Sequence, residues 1–456
     1  MIATLERPVT PPCTLVTVPP TLPQADRRPA TPKLQALTAL RFFAAAMIVM
    51  LHAQAYFGIV APLQRFTLTQ GVCFFYVLSG FILTYAYPSL DGRGVRRFLV
   101  ARLARIVPLH LVALLLYVLI LPAWYRDSVS STTHGAGLLT AFLLQAWVPV
   151  YRVQTAFNGV SWSLSVECFF YLCFPLLLWR WRRTWRIKLA LTFLLAVGTM
   201  FVANRWLGHL PRGAEVRDVV YFFPLARLWE FAVGVATAHL WRYLHARAQI
   251  TRWLGTALEL LVVATVLTVM ILSGGWSRWA GHFAFVGKGG EAWLASSGYV
   301  CLVYAALICV MACEWGGVSR LLSRQPFVLL GEISFSLYLL HLIVCHYYVI
   351  HPGPFVSVPP WLLFVGYWLV ILLASYVGWA LVEVPCRRAL VGLWDRHMAR
   401  DAGAKRRPAV QSHGGRAAFW RIAASGALLC VAATLHVAAS SPPTVQPAAT
   451  SALPEA

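Results

Sequence analysis

Apolar runs long enough to cross a bilayer dominate the chain. They fall at about 37–57, 71–88, 104–123, 162–180, 187–203, 219–240, 254–273, 294–313, 327–350, 361–384 and 417–438. A hydrocarbon core of ~30 Å takes about 20 helical residues, so each run predicts one transmembrane helix. The stretch GLLTAFLLQAWVPV, 137–150, is too short for an ordinary crossing and predicts an interfacial or re-entrant helix. The fold predicted is an all-α, polytopic transmembrane helical bundle, with ten helices in one unit and a separated eleventh. The expected pieces are a disordered cytoplasmic tail (1–33), a membrane domain (34–390), a basic cytoplasmic linker (391–416), an extra transmembrane helix (417–438) and a short disordered tail (439–456). Residues 1–33 are rich in Pro and Thr and lack the apolar run of a signal peptide.

Composition agrees, because hydrophobic residues make up 59% of the 456 and charged ones only 12%, which excludes an ordinary soluble domain. A net charge of +22 could suit nucleic acid, but the basic residues sit in short loops between apolar runs, so no nucleic-acid partner is expected. With the N-terminus inside, loops on that side hold 28 Lys and Arg and the opposite loops hold 8. That bias puts the N-terminus in the cytoplasm, and an extra crossing at 137–150 would invert every later loop. The expected location is a bacterial inner membrane. The ten cysteines lie mostly inside apolar segments without metal-type spacing, so no metal site is expected.

Ionisable groups inside apolar runs are costly, which makes each a functional candidate. The first run carries Arg41 and His52, eleven residues apart. Eleven residues are close to three helical turns, so both face one way, ~16 Å apart along the axis. Glu167, in NGVSWSLSVECFFYLCFPLL, lies in a desolvated setting at a depth comparable to His52. The two read either as a general base with its orienting carboxylate or as a structural buried hydrogen bond. Arg96, Arg97, Arg102 and Arg105 lead into the third run. Arg102 and Arg105 project together and would suit phosphates, although the topological bias alone accounts for many such clusters. Arg227 and Glu230 are one turn apart in mid-run, as an acceptor contact or a self-neutralising pair. The ninth run carries Glu332, Ser334, Ser336, Tyr338 and His341, an unusual polar load in which Ser334 and His341 read as acceptor contacts or structural groups, and Glu383 closes the tenth. Ser79 and Gly80 permit close helix packing, whereas His134, His209 and His351 read as loop residues.

At these residues the chain resembles acyltransferase family 3, the integral membrane acyltransferases that modify polysaccharides, lipids and some small molecules. The resemblance runs from about Leu37 to Arg388. It rests on the ordered set of Arg41 to His52, GVCFFYVLSGFIL, RLAR at 102–105, WSLSVECFFYLCFPLL, RLWEFAVG, LGEISFSLYLLH and VEVP. It implies a ten-helix catalytic unit that takes an acyl group, usually acetyl from acetyl-CoA, on the cytoplasmic side and delivers it to a hydroxyl, usually of a sugar. No permanently bound cofactor is implied; acetyl-CoA or another acyl-CoA is a co-substrate. By position, His52 would be the catalytic histidine with Glu167 assisting, and Arg41, Arg102 and Arg105 would serve donor binding.

The chain departs from the pattern in two places. Cys73 stands where an acidic or polar residue is common, and only a short tail follows the eleventh run, where many relatives end earlier or carry an esterase-like domain. Either that domain was lost or a separate extracytoplasmic partner supplies it. The expected protein is thus a membrane O-acyltransferase, for acyl groups other than amino-acyl, acting on an extracytoplasmic or lipid-linked glycan or a small molecule, in contact with membrane lipid. A transporter or flippase for a lipid-linked sugar or small molecule is the alternative, disfavoured by the lack of an inverted repeat or a broken mid-membrane span.

Overall fold

A computed structural model describes residues 33–54, 57–129, 133–206, 215–247, 250–283, 285–355 and 357–404. The tail 1–32, the predicted eleventh helix, the final tail and His209 lie outside the described residues. Ten apolar helices follow one another: α1 (Gln35–Ala53), α2 (Gln70–Ala86), α3 (Gly92–Ile120), α4 (Trp162–Leu178) and α5 (Trp181–Trp206). After them come α6 (Pro224–His245), α7 (Arg252–Gly281), α8 (Val300–Ala312), α9 (Gln325–Ile350) and α10 (Pro360–Gly378). Among the described residues, nine helical stretches are long and apolar enough to cross a membrane, and the 17-residue α2 is the shorter tenth. The protein is therefore an all-α polytopic bundle, and each of the first ten predicted runs overlaps one of these helices.

The stretch 137–150 is not a crossing. It divides into a short helix, His134–Ala141, a reversal at Leu143 with φ of 57°, and a single turn, Gln145–Trp147. The predicted boundary at residue 390 falls inside a helix. Beyond α10 a π-helical turn, Trp379–Glu383, leads directly into Val384–Ala404, so residues 391–404 of the expected linker continue the helix and pack along α3.

Small residues set two close crossings. A Cβ on Gly80 would collide with the Phe231 carbonyl, and one on Gly234 with that of Val77, so α2 and α6 touch backbone to backbone. Gly331 likewise lets α9 seat against the Thr38 carbonyl of α1. The α1–α9 contact brings the first and ninth runs together over much of their length. Near the loop after α8, the buried Glu259 of α7 accepts hydrogen bonds from the amides of Gly316 (2.8 Å), Val318 (2.9 Å) and Ser319 (3.1 Å) and from Ser319 Oγ (2.5 Å). This carboxylate caps a short helix and is structural.

Candidate active site

Arg41 and His52 lie on one unbroken helix, so the ~16 Å separation expected from their spacing stands. Each belongs to a separate constellation. The first gathers where α1, α3 and α9 begin and the tenth helix ends. Arg41 is within electrostatic reach of Arg105, Glu383, Glu167 and Tyr171. Arg105 Nε stands 4.0 Å from Glu383 Oε1, with the arginine side chain 25% exposed and the glutamate 4%. Arg102 leans over the Tyr87 ring at 5.7 Å and reaches its hydroxyl at 3.5 Å, while its buried Nε has no hydrogen-bond partner. Arg387, one turn beyond Glu383, also faces Arg102 and Arg105. The π turn supplies one extra residue just ahead of this pair, a local feature common at functional sites. Five guanidinium groups (41, 102, 105, 387, 388) share the basin with three carboxylates (167, 332, 383), a surplus of two positive charges.

The second constellation is a pair of imidazoles. His52 Nδ1 lies 2.9 Å from His341 Nε2, with the rings stacked at 5.1 Å between centroids. His341 is fully buried, and its Nδ1 lies 3.1 Å from the Leu337 carbonyl. A carbonyl only accepts, so in the neutral pair Nδ1 of His341 carries the proton and its Nε2 holds a lone pair. His52 Nδ1–H then donates to that lone pair. The free lone pair of His52 is left on Nε2, the arrangement a general base requires.

The turn of α9 that carries His341 is braced by the start of the fourth run. Asn158 Nδ2 donates to the Leu339 carbonyl at 2.9 Å. The Tyr338 hydroxyl joins Ser163 Oγ at 2.8 Å and the Val160 carbonyl at 3.1 Å. Asn158 is 1% exposed, yet its Oδ1 has no partner. On the next turn, His346 packs edge-on against Tyr117 and Tyr125.

Glu167 does not meet His52. Its Oε1 accepts from Tyr171 OH at 2.7 Å and from Ser79 Oγ at 3.2 Å, and its charge acts on Arg41 and Arg105. Among the described residues neither imidazole is ion-paired to a carboxylate. The orienting partner of His52 is therefore His341, and Glu167 belongs with the arginines. Ser334 Oγ donates to the Gly331 carbonyl of its own helix at 2.7 Å, so it is a local structural bond two turns from His341. Arg227 and Glu230 form a fully buried pair at 3.2 Å, the guanidinium lying 5.2 Å from the Tyr76 ring and 5.1 Å from that of Tyr221. Asn158, His346 and Arg387 were missed from sequence. The only signal for His346 was a second histidine five residues after His341. Among the described residues no group of three His, Cys, Asp or Glu could hold a metal ion.

Residues 34–380, most of the chain, match the family model described as an acyltransferase domain. The chain belongs to acyltransferase family 3. This family member is an enzyme, an integral membrane O-acyltransferase. It is similar to Acyltransferase MdmB of Streptomyces mycarofaciens, at 29% identity over 70% of this chain and 81% of the relative. It is also similar to O-acetyltransferase OatA of Staphylococcus aureus, at 25% over 78% of this chain and 57% of that longer protein. Nodulation protein 10 of Rhizobium leguminosarum bv. viciae matches at 24% over 79% of this chain and 95% of the relative. No solved structure matches the chain. The transporter alternative gives way to this membership.

Proposed function

We propose that this acyltransferase moves an acyl group, most simply acetyl, from an acyl-CoA held by the arginine constellation to a hydroxyl activated by His52. The observation that carries the reading is the His52–His341 hydrogen bond, which leaves the lone pair on His52 Nε2. The resident surplus of positive charge on Arg41, Arg102, Arg105 and Arg387 suits the phosphates of CoA. By the positive-inside bias this basin faces the cytoplasm, where acyl-CoA is made, in the inner membrane of a bacterium. The ~16 Å between Arg41 and His52 requires a donor whose thioester hangs on a long flexible arm, as in CoA.

In the direct route His52 Nε2 takes the proton of the acceptor hydroxyl as its oxygen attacks the thioester carbonyl. The C–O bond forms, the C–S bond breaks, and the proton passes from His52 to the departing CoA thiolate. His341 remains neutral and holds the ring. In the alternative route His52 Nε2 attacks the thioester carbonyl, so a C–N bond forms, the C–S bond breaks and CoA leaves as the thiolate. The acceptor oxygen then attacks the same carbonyl, the C–O bond forms, the C–N bond breaks to return the lone pair to Nε2, and the hydroxyl proton ends on the CoA thiolate. Both use the same nitrogen, and hydroxylamine trapping of an acyl-enzyme distinguishes them. Glu167 holds Tyr171 and balances the arginines.

The acceptor we infer is a glycan, lipid-linked sugar or small molecule presented from the opposite face. The names of the relatives support an acyl, and in one case an acetyl, transfer. The test is labelled acetyl transfer from acetyl-CoA to cell-envelope glycans in membranes holding matched amounts of wild type or His52→Ala. Label that appears in wild type and drops on the order of 10²- to 10⁴-fold in the variant is expected. Equal label in both would remove His52 from the chemistry.

A further inference from the structure

Away from both constellations, α3 and the helix Val384–Ala404 enclose an apolar groove of 560 Å³. Val100, Leu103, Ala104 and Val107 form one wall, and Leu390, Leu393 and Trp394 the other, with His397 at the end. The groove opens outward, because Leu103 is 44% exposed and Leu393 is 55% exposed. It continues a strip of exposed leucines that runs along α3 at 111, 115 and 119 and along the tenth helix at 369 and 373, with Leu381 in the π turn beyond it. A strip of that kind on a membrane bundle faces lipid. The groove is therefore the end of the lipid-facing surface on the arginine side, and not part of the interior route between Arg41 and His52.

Its rim is cationic. Arg96 lies one turn before Val100 on α3, and on the other helix Arg396 follows Leu393 by three residues and Arg400 follows His397 by three. All three are exposed, and none has an ion-pair partner among the described residues. Between them, Arg97 grips Asp395 through two 2.9 Å bonds and ties the walls together. An apolar cleft that ends in unneutralised arginines at the headgroup level matches one class of ligand, an anionic phospholipid.

We propose that this groove binds one anionic phospholipid, with an acyl chain between Leu103 and Leu393 and the phosphate at Arg96, Arg396 and Arg400. The two walls also carry Arg102 and Arg105 on α3 and Glu383 and Arg387 at and just beyond the π turn. A lipid wedged here holds the spacing of that basin, so it is a structural splint for the arginine constellation. The proposal needs neither the identity of the donor nor that of the acceptor.

The test uses the full chain in nanodiscs of equal phosphatidylglycerol and phosphatidylcholine. The protein is released into native mass spectrometry, and retained lipid is identified by mass. Wild type is expected to retain one phosphatidylglycerol in clear preference to phosphatidylcholine. The double variant Arg96→Gln, Arg400→Gln, at two exposed sites, should lower that preference roughly 25-fold, about fivefold for each charge near an anionic lipid. Leu393→Trp, which fills the cleft, should reduce retention of both lipids. Equal retention of the two lipids by wild type, or an unchanged preference in the double variant, would overturn the proposal. So would displacement of the retained phosphatidylglycerol by added CoA, which would make the groove part of the donor site.

Discussion

Among the described residues two Arg–Glu pairs sit in this bundle, and they are built differently. Arg227 and Glu230 lie on one helix, 3.2 Å apart, both wholly buried, with tyrosine rings over the guanidinium. Arg105 and Glu383 come from different helices, stand 4.0 Å apart, and share their basin with further arginines. The first pair neutralises itself and leaves no charge for a ligand. The second is loose, partly accessible and outnumbered by positive groups. Ion pairs in a membrane protein are thus not equivalent marks of function; local charge balance and access make the second pair the candidate for binding.

The sharpest way to break this contrast is to remove one partner of each. Glu230→Ala strands a buried guanidinium and should cost about 3–5 kcal/mol of stability. It should read out as a large fall in the thermal midpoint in detergent. Glu383→Ala, in the more open basin, should leave the midpoint much closer to wild type. If the two variants lose equal stability, the distinction fails.

The next largest effect concerns the imidazole pair. His341→Leu removes the acceptor that holds His52 Nδ1–H, and kcat should fall on the order of 10²-fold. His341→Gln keeps an acceptor oxygen and should recover much of that loss. Because only neutral His52 can take the hydroxyl proton, the rate should fall on the acid side, and the two variants should move that limb by different amounts. A packing role alone would leave the limb in place.

Arg105→Gln should act on the donor. Losing one charge-assisted contact costs about 1.5–3 kcal/mol, so KM for acyl-CoA should rise on the order of tenfold or more while the thermal midpoint barely moves. Smallest of all, Arg97→Ala breaks an ion pair whose side chains are 55% and 45% exposed, and should change stability by no more than about 1 kcal/mol.

Much of the scaffold was legible because lipid imposes one rule on every crossing segment, long apolar helices with satisfied backbones. The Arg41–His52 geometry was equally legible, since both sit on one helix and spacing alone fixes their faces. The partner of His52 was not, because His341 is 289 residues away and reaches it only through the close α1–α9 contact that Gly331 allows. Depth along a helix suggested Glu167 instead, but depth says nothing about azimuth, and Glu167 turns toward Ser79 and the arginines. The π turn at Trp379–Glu383 and the helical run through residues 391–404 left no recognisable sequence signal, since WALVE reads as ordinary helix and the basic residues that follow read as a linker.

The central claim is a division of labour: arginines hold the donor, and the His52–His341 pair performs the transfer. The most direct test measures equilibrium CoA binding and acetyl transfer on the same preparations of His52→Ala and of the double variant Arg102→Gln, Arg105→Gln. The claim predicts that His52→Ala binds CoA as wild type does and fails to transfer, while the arginine double variant loses CoA affinity on the order of 10²-fold or more, about two charge-assisted contacts' worth. Weakened CoA binding in His52→Ala, or unaltered binding in the double variant, would contradict it.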